Sequence, residues 1–194
     1  MIIREPKWKS WVVETTIPLF NSHQCQLIMN AGLSEPIVNA NVGVKADGPG
    51  EYDTKKRLSR VSWIPFKKMP QMYSQIEEKV SEINNNYFGF EGVKITEMAQ
   101  FTEYGVGGFY DWHTDCNISG ENFPPVRKIS MTCLLSNESE FEGGGLELVE
   151  DGKICKPKQG QAVFFASFIR HRVVPVTKGI RRSLVMWFGG PSFK

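Results

Sequence analysis

From Phe90 onward the chain is a series of short segments rich in β-branched and aromatic residues, bounded by glycine, proline and other turn residues. The predicted strands are 93–104, 109–113, 128–135, 146–149, 161–165, 171–174 and 181–188. Segment 128–135 is the clearest, because its apolar and polar residues alternate. Many short strands joined by such turns are typical of a β-sandwich or barrel. The chain has no βαβ alternation, GxGxxG or P-loop motif, which disfavours a parallel nucleotide-binding sheet.

The part of the chain before Phe90 combines helices with strands. The stronger helix begins at Pro70, carries apolar residues at every third or fourth position, and is expected to end at asparagines 84–86. A shorter helix at 23–31 follows an N-cap at Asn21-Ser22 and is expected to stop at Gly32. Further predicted elements are strands at 11–16, 37–44 and 58–64, and a mobile loop at 46–56. We therefore expect one mainly β domain with N-terminal helices over 1–194.

Composition narrows the setting in which such a domain works. Hydrophobic residues make up 41% and charged residues 23% of the 194 residues, as in ordinary globular proteins. The net charge of +2 gives no support for a nucleic-acid partner. The four cysteines are widely spaced without a CxxC pair, which indicates reduced thiols. Neither a signal-peptide apolar region nor a long apolar run is present, so we expect a cytoplasmic protein that does not bind membranes.

Two of the three histidines are candidate metal ligands. His113 and Asp115 are two positions apart, so in an extended segment their side chains project to the same face. His171 supplies a third ligand. Two histidines and one carboxylate on one face of a metal are the arrangement of non-haem Fe(II) oxygenases. On the His-x-Asp pair alone, a core histidine bonded to Asp115 is the commoner interpretation. The third histidine, His23, is interpreted as exposed or structural.

Three sequence blocks, occurring in order, carry a family resemblance. They are Tyr104…Gly107-Gly108-Phe109…His113-x-Asp115, Glu142-Gly143-Gly144-Gly145-Leu146, and His171…Pro175-Val176-Thr177…Gly179…Arg181-x-Ser183…Trp187. Together they resemble the Fe(II)/2-oxoglutarate dioxygenases of the prolyl 4-hydroxylase-like superfamily. The resemblance covers 57–189 and is strongest from 98 onward. It implies a double-stranded β-helix, or jelly-roll, core at about 93–190, with a helical support region at about 20–90.

The resemblance also implies the ligands and cofactors of the site. His113, Asp115 and His171 match the family's iron ligands, and no further side chain is expected to be catalytic. The implied cofactors are Fe(II), 2-oxoglutarate as co-substrate and O2, with ascorbate as a reductant.

The co-substrate residues follow from the third block. Arg181 matches the basic residue that binds the C5 carboxylate of 2-oxoglutarate, and a guanidinium suits a carboxylate because the two pair bidentately. On a strand Ser183 shares its face and adds a hydroxyl, while Tyr104 matches a tyrosine that reaches the co-substrate in some relatives. Leu146 and Val173 are interpreted as pocket walls, with plain core packing as the alternative.

Two features depart from the family pattern or leave it open. Leu134 and Leu135 stand where many prolyl hydroxylases carry a tyrosine, so Tyr104, Thr132 or Ser183 is left to compensate. Arg182 is interpreted as a solvated surface charge.

The predicted substrate-binding residues come from a second resemblance. Residues 57–64, RLSRVSWI, are similar to a stretch of the animal oxygen-sensing prolyl hydroxylases in which a flexible loop closes over a peptide. Arg57 would face that peptide and Trp187 would contact it, but Ser59 replaces an aspartate of the relatives. The alternative is an ordinary charged loop.

These resemblances predict an oxygenase that hydroxylates a prolyl residue in a peptide or protein. The alternatives are a 2-oxoglutarate oxygenase acting on a small molecule or free amino acid, a nucleic-acid demethylase, and a non-catalytic metal-binding jelly roll. The demethylase ranks low because Trp187 occupies the place of a further arginine and the charge is near neutral.

Overall fold

Two helices and a set of short strands make up the parts of the chain that the computed structural model describes, residues 10–45, 48–116, 125–149 and 154–193. The helices are α1, Ser22–Leu33, and α2, Pro70–Ile83. The strands are β1 Val12–Glu14, β2 Val38–Asn39, β3 Val42–Lys45, β4 Gly48–Glu51, β5 Arg57–Leu58, β6 Arg60–Ile64, β7 Lys94–Ile95, β8 Ala99–Tyr104, β9 Phe109–His113, β10 Val126–Leu134, β11 Phe141–Gly143, β12 Leu146–Leu148, β13 Ile154–Cys155, β14 Ala162–Ala166, β15 His171–Val173, β16 Val176–Gly179 and β17 Arg181–Gly190. No helix in this described part is long and apolar enough to cross a membrane.

Two antiparallel sheets form the body of the fold. The main sheet has the order β1-β14-β10-β17-β8-β6-β2, with β7 also paired to β17, and the second sheet has the order β13-β12-β15-β9-β5. An apolar cluster joins them, because Tyr104 and Phe165 of the main sheet pack with Leu146 and Val173 from the second. The two sheets face each other across this layer, and strands that are neighbours in a sheet are mostly not consecutive in the chain, as in a jelly roll. The predicted double-stranded β-helix is confirmed.

The helices cover the other face of the main sheet. Their apolar side chains, among them Ile28 and Ile76, belong to one buried cluster with Phe101, Met131 and Leu184. The main sheet is therefore covered on both faces. For this reason β10 is buried along nearly its whole length, even at the polar positions of its alternating sequence.

Helix α1 is longer than the sequence predicted, whereas α2 ends at Ile83, directly before the asparagines at which its end was predicted. The N-cap prediction is confirmed, since Asn21 and Gln24 form a capping box with two 2.9 Å bonds. Gly32, however, does not stop α1. It lies against the ring of Phe101, where an added Cβ would be 2.4 Å from Cγ. The helical path after α2 continues through a π-turn, Asn84–Phe88, and ends at Gly89, whose φ is +68°.

The segment before α2 differs most from its predicted elements. The 37–44 strand is two short strands, β2 and β3, and most of the 46–56 loop lies in or beside the β3–β4 hairpin. Ala46 and Asp47 lie outside the described residues. The 58–64 strand is also divided, because Arg57–Leu58 pairs with β9 of the second sheet and Arg60–Ile64 with β8 of the main sheet. The chain passes from one sheet to the other at Ser59.

Candidate metal centre

Strand pairing brings the two candidate histidines together. His113 ends β9 and His171 begins β15, and the antiparallel register sets them directly opposite each other with ring centroids 4.1 Å apart. Asp115 follows just beyond β9, outside the strand. Its backbone N–H and that of Cys116 both donate to the carbonyl oxygen of Ser167, at 2.9 and 2.8 Å. The centre is therefore fixed by strand register on one side and by this turn on the other.

The three side chains present one compact set of donors. His113 Nε2 lies 3.6 Å from Asp115 Oδ1, and His171 Nε2 lies 3.4 Å from Asp115 Oδ2. One donor atom from each residue falls within 4.8 Å of the others. Ligands bound at about 2.1 Å to one ion, roughly at right angles, lie about 3 Å apart, so this set fits a single metal ion. Two imidazoles and a carboxylate are also the donor types of a non-haem Fe(II) site.

Backbone carbonyls orient both imidazoles. His113 Nδ1 lies 2.7 Å from the Asp111 oxygen, and His171 Nδ1 lies 2.9 Å from the Ile169 oxygen. A carbonyl only accepts, so each Nδ1 carries the proton and each Nε2 keeps its lone pair for the metal. Tyr110 stacks on His113 with ring centroids 3.5 Å apart, which fixes the tilt of that ring.

The charge states of the centre favour metal binding. Burial lowers the pKa of His113 to about 4, assisted by His171 and opposed by Asp115. Burial alone would raise the pKa of Asp115. The nearby His171 and His113, together with the Ser130 hydroxyl, outweigh it and lower that pKa. At neutral pH the site therefore offers a neutral His113 and an ionised Asp115, the forms that coordinate a cation.

Ser130 supports the centre, and sequence reasoning missed it. Its hydroxyl donates to Asp115 Oδ2 at 2.7 Å and lies 2.9 Å from the hydroxyl of Ser167. The available signal was its place among the polar residues that alternate with apolar ones in segment 128–135. In the fold this hydroxyl faces the metal centre.

Replacing Ser130 by alanine is expected to weaken metal binding about 10- to 100-fold, because Asp115 loses the hydroxyl that orients it. Anaerobic titration with Fe(II) or Mn(II) measures the effect. Ser62 is a matched control, since its buried hydroxyl donates to the Gly32 oxygen at 2.7 Å. Ser62→Ala should lower thermal stability and leave metal affinity intact. Equal metal affinities for the two variants would show that Ser130 does not position the ligand.

Arg181 is a buried cation without an anionic partner among the described residues. It is 3% exposed, and its Nη1 donates to Ser183 Oγ at 3.2 Å. The Tyr104 ring centroid lies 5.6 Å from its guanidinium carbon, because the two residues are paired across β17 and β8. Burial lowers the pKa of Arg181. A buried guanidinium that lacks a counter-charge is costly, so the geometry fits an incoming carboxylate such as that of 2-oxoglutarate.

The other residues predicted for the co-substrate end lie around Arg181. Leu134 pairs with Ser183 across β10 and β17, so no tyrosine reaches this point from β10. Leu146 and Val173 pair with each other and belong to the apolar cluster that contains Tyr104. Their position between the sheets agrees with both the pocket-wall and the core interpretation.

The two residues predicted to contact substrate lie beside groups that contact the candidate metal ligands His113 and Asp115. Arg57 is in β5, directly after the predicted 46–56 loop, and is 7% exposed. Its guanidinium lies 4.4 Å from the centroid of Tyr110, and its Nε donates to Ser59 at 2.8 Å. Trp187 is 9% exposed, and its indole N–H has no partner among the described residues. Arg127 lies 3.9 Å above its ring.

Arg182 is not the solvated charge that the sequence suggested. Its Nε donates to Glu103 at 2.9 Å, and Arg60 pairs with the same carboxylate. Glu103 is only 4% exposed, so this cross-strand triad neutralises a buried charge on the face of the main sheet opposite Arg181.

Comparison with known proteins agrees with this geometry. Residues 99–189 match the family model described as the 2OG-Fe(II) oxygenase superfamily. A PKHD-type hydroxylase of Synechococcus sp. (strain CC9605) is 38% identical over 101 residues, which are 50% of this chain and 44% of that protein. The chain thus spans less than half the length of this relative and of the next two curated relatives.

Two solved structures share the fold. The viral collagen prolyl hydroxylase of Paramecium bursaria Chlorella virus-1, in its 2OG complex, has a TM-score of 0.72 at 18% identity, covering 93% of this chain and 97% of that chain. A Pseudomonas putida prolyl-4-hydroxylase has a TM-score of 0.70 at 19% identity, covering 94% of each chain.

The jelly roll carries a centre of two histidines and one carboxylate, which is the donor set of non-haem Fe(II) oxygenases. The family match is more specific: residues 99–189 match the model of the 2OG-Fe(II) oxygenase superfamily. The predicted resemblance to its prolyl 4-hydroxylase-like members is confirmed.

Proposed function

We propose that this protein is a Fe(II)- and 2-oxoglutarate-dependent oxygenase that hydroxylates a prolyl residue of a peptide or protein. One atom of O2 enters the prolyl residue, and the other enters succinate as 2-oxoglutarate loses CO2. The observation that carries the proposal is the presence, in one jelly roll, of the three-ligand centre and of a buried arginine that has no anionic partner in the described part of the chain. Neither feature would be needed for folding alone, since an unpaired buried cation destabilises a protein.

Each residue of the centre has a defined task in this reaction. His113, Asp115 and His171 would hold the metal, while Arg181 would bind the C5 carboxylate of the co-substrate, assisted by Ser183. The metal, its co-substrate and O2 supply the oxidising chemistry. The protein supplies fixed geometry and a largely buried site, so no side-chain acid, base or nucleophile is required.

The prolyl substrate is supported by the relatives and by the entrance to the site. The curated relative is named a PKHD-type hydroxylase, and the two solved structures are named as prolyl hydroxylases, one of them a collagen prolyl hydroxylase. Arg57 stacks on the Tyr110 ring that stacks on His113. Trp187 pairs across the main sheet with Ser130, whose hydroxyl donates to Asp115. A peptide that enters beside these ligands would lie within reach of both. Trp187 offers an N–H donor that no described residue accepts.

The test is an anaerobic mixture of protein, Fe(II) and 2-oxoglutarate, exposed to O2 with a panel of proline-containing peptides. Succinate and a peptide mass gain of one oxygen at proline are the expected products, and His113→Ala is the inactive control. Succinate without peptide oxidation would contradict the prolyl substrate and favour a small molecule. Absence of both succinate and bound iron would leave a non-catalytic jelly roll.

Replacing Arg57 by alanine is expected to impair peptide hydroxylation and to spare the slow 2-oxoglutarate decay that occurs without peptide. The reason is that Arg57 lies beside Tyr110, on the His113 side of the centre, whereas the co-substrate carboxylate is assigned to Arg181. Rates of hydroxyproline and succinate formation, measured in parallel, separate the two effects.

Lys56 is the matched control, because it is the neighbouring cation and its side chain is 65% exposed. Lys56→Ala should leave both rates unchanged. An equal loss of both rates in Arg57→Ala would remove Arg57 from the substrate side and make it a support of the metal centre.

A further inference from the structure

The glycine run Gly143-Gly144-Gly145 is a motif to which the reaction assigns no role. Each of the three glycines lies against a different neighbouring residue. A Cβ at Gly143 would be 2.3 Å from the Pro175 oxygen, and one at Gly145 would be 2.3 Å from Ile154 Cγ2. The missing side chain of Gly143 therefore lets the backbone at Pro175 approach closely, and that of Gly145 makes room for Ile154 of β13.

Gly144 differs from its neighbours because it faces Arg181. Its φ is +64°, and a Cβ there would be 2.7 Å from Arg181 Cδ and 2.9 Å from Val176 Cγ2. Aliphatic carbons in good contact are about 3.5 to 4.0 Å apart. A side chain at 144 and the observed conformation of Arg181 therefore exclude each other.

We infer that Gly144 is a positioning residue for the co-substrate: its missing side chain lets the stem of Arg181 lie against the backbone and aims the guanidinium at Ser183. The inference rests on the proposed function, since it concerns the contact of Arg181 with a carboxylate. Bidentate pairing depends on direction, so a displaced stem weakens binding even though the charge is kept.

The space around this contact determines whether a side chain at 144 would lower the stability of the protein or its affinity for the co-substrate. Gly144 and Arg181 both line a cleft of about 330 Å³, together with Leu134 and Leu146. Arg181 has room to move when pushed, so the fold can absorb a methyl group at 144. The loss should appear in co-substrate affinity more than in stability.

The experiment is calorimetric titration of 2-oxoglutarate into the Mn(II)-loaded protein, without O2 or peptide. We expect Gly144→Ala to raise the Kd for 2-oxoglutarate about tenfold or more, the low end of the effect of losing one charge-assisted contact. The affinity for Mn(II) should be unchanged. An unchanged Kd for 2-oxoglutarate would overturn the inference.

Gly107→Ala is the matched control for backbone strain. Its φ is +79°, and nothing lies within 4 Å of an added Cβ, so it has the strain of an alanine at positive φ without the contact. It should bind 2-oxoglutarate like the wild type. An equal loss in both variants would mean that strain, and not Arg181, explains the effect.

A second background tests whether Gly144 acts through Arg181. In Arg181→Ala the methyl group at 144 meets no stem, so Gly144→Ala should cause no further loss of 2-oxoglutarate affinity. Should Gly144→Ala alone fail to fold, the double variant should regain folding and Mn(II) binding. An additive loss, or no such rescue, would overturn the inference. Failure of the wild-type protein to bind 2-oxoglutarate would instead refute the proposed function.

Discussion

Replacing His171 by alanine is expected to abolish Fe(II)-dependent succinate formation and to weaken metal binding more than about 100-fold. Loss of a group that only orients a ligand costs about 10- to 100-fold in affinity, and here a ligand itself is lost. His171 also stabilises the ionised Asp115, whose pKa it helps to lower. Loss of His171 therefore removes one metal-binding atom and also removes a group that favours the ionised form of a second ligand, Asp115.

The measurements are anaerobic Fe(II) titration and succinate formation, with thermal unfolding as a check on the fold. His171→Gln keeps more of the buried volume beside Phe165, whose ring centroid lies 4.5 Å from that of His171. It separates loss of the ligand from loss of packing. His23 is the natural control, because this exposed histidine lies on α1, and His23→Ala should retain full activity. Full turnover in His171→Ala would remove this residue from the metal site.

Replacing Arg181 by alanine is expected to raise the 2-oxoglutarate requirement about 10- to 150-fold, because a charge-assisted contact of about 1.5–3 kcal/mol is lost. The 2-oxoglutarate requirement of Arg181→Lys should lie between those of the wild type and of Arg181→Ala, since lysine keeps the charge but loses the bidentate geometry. The KM for 2-oxoglutarate and the calorimetric Kd in the Mn(II)-loaded protein both report the change. Arg182→Lys, on the opposite face of β17, should leave them unaltered.

The free energy of unfolding gives an independent test of whether Arg181 binds the carboxylate. Because Arg181 is buried without a described counter-ion, Arg181→Met should leave the unliganded protein as stable as the wild type or more so. Excess 2-oxoglutarate at 100 times its Kd adds about 2.7 kcal/mol to the free energy of unfolding of a protein that binds it. The wild-type protein should show this gain with metal present, and Arg181→Met should show almost none. A gain of the same size in both would mean that another residue holds the carboxylate.

The residues around Arg181 include the one that stands where many prolyl hydroxylases carry a tyrosine, which this chain lacks at that place. Leu134 occupies that place and lines the cleft beside Arg181, while Ser183 and Tyr104 lie next to the guanidinium. One serine hydroxyl and the face of one aromatic ring thus surround the cation. Thr132, the third expected substitute, pairs with Val185, one step further along β17.

The sequence predicted the β-rich C-terminal part well because its signals are local. Strand β9 was predicted with its observed bounds, and β10, β12, β14, β15 and β17 lie within two residues of their predicted bounds. The predicted strand 93–104 is two strands, β7 and β8, and the short strands β11, β13 and β16 were not predicted. The strands before α2 were predicted less well, because Arg57–Leu58 and Arg60–Ile64 look like one strand in sequence. Which sheet each part joins depends on partners that lie more than forty residues away along the chain, namely Tyr110 and Glu103.

By itself the sequence determined the identity of the metal ligands, the arginine that follows them and the alternating strands that carry them. These are properties of residue type and spacing, which a chain displays before it folds. Only the tertiary structure decided that Ser130 would hold Asp115 and that Gly144 would make room for Arg181. Such contacts depend on the register between strands and on the packing of one sheet against another, and neither leaves a local mark in the sequence.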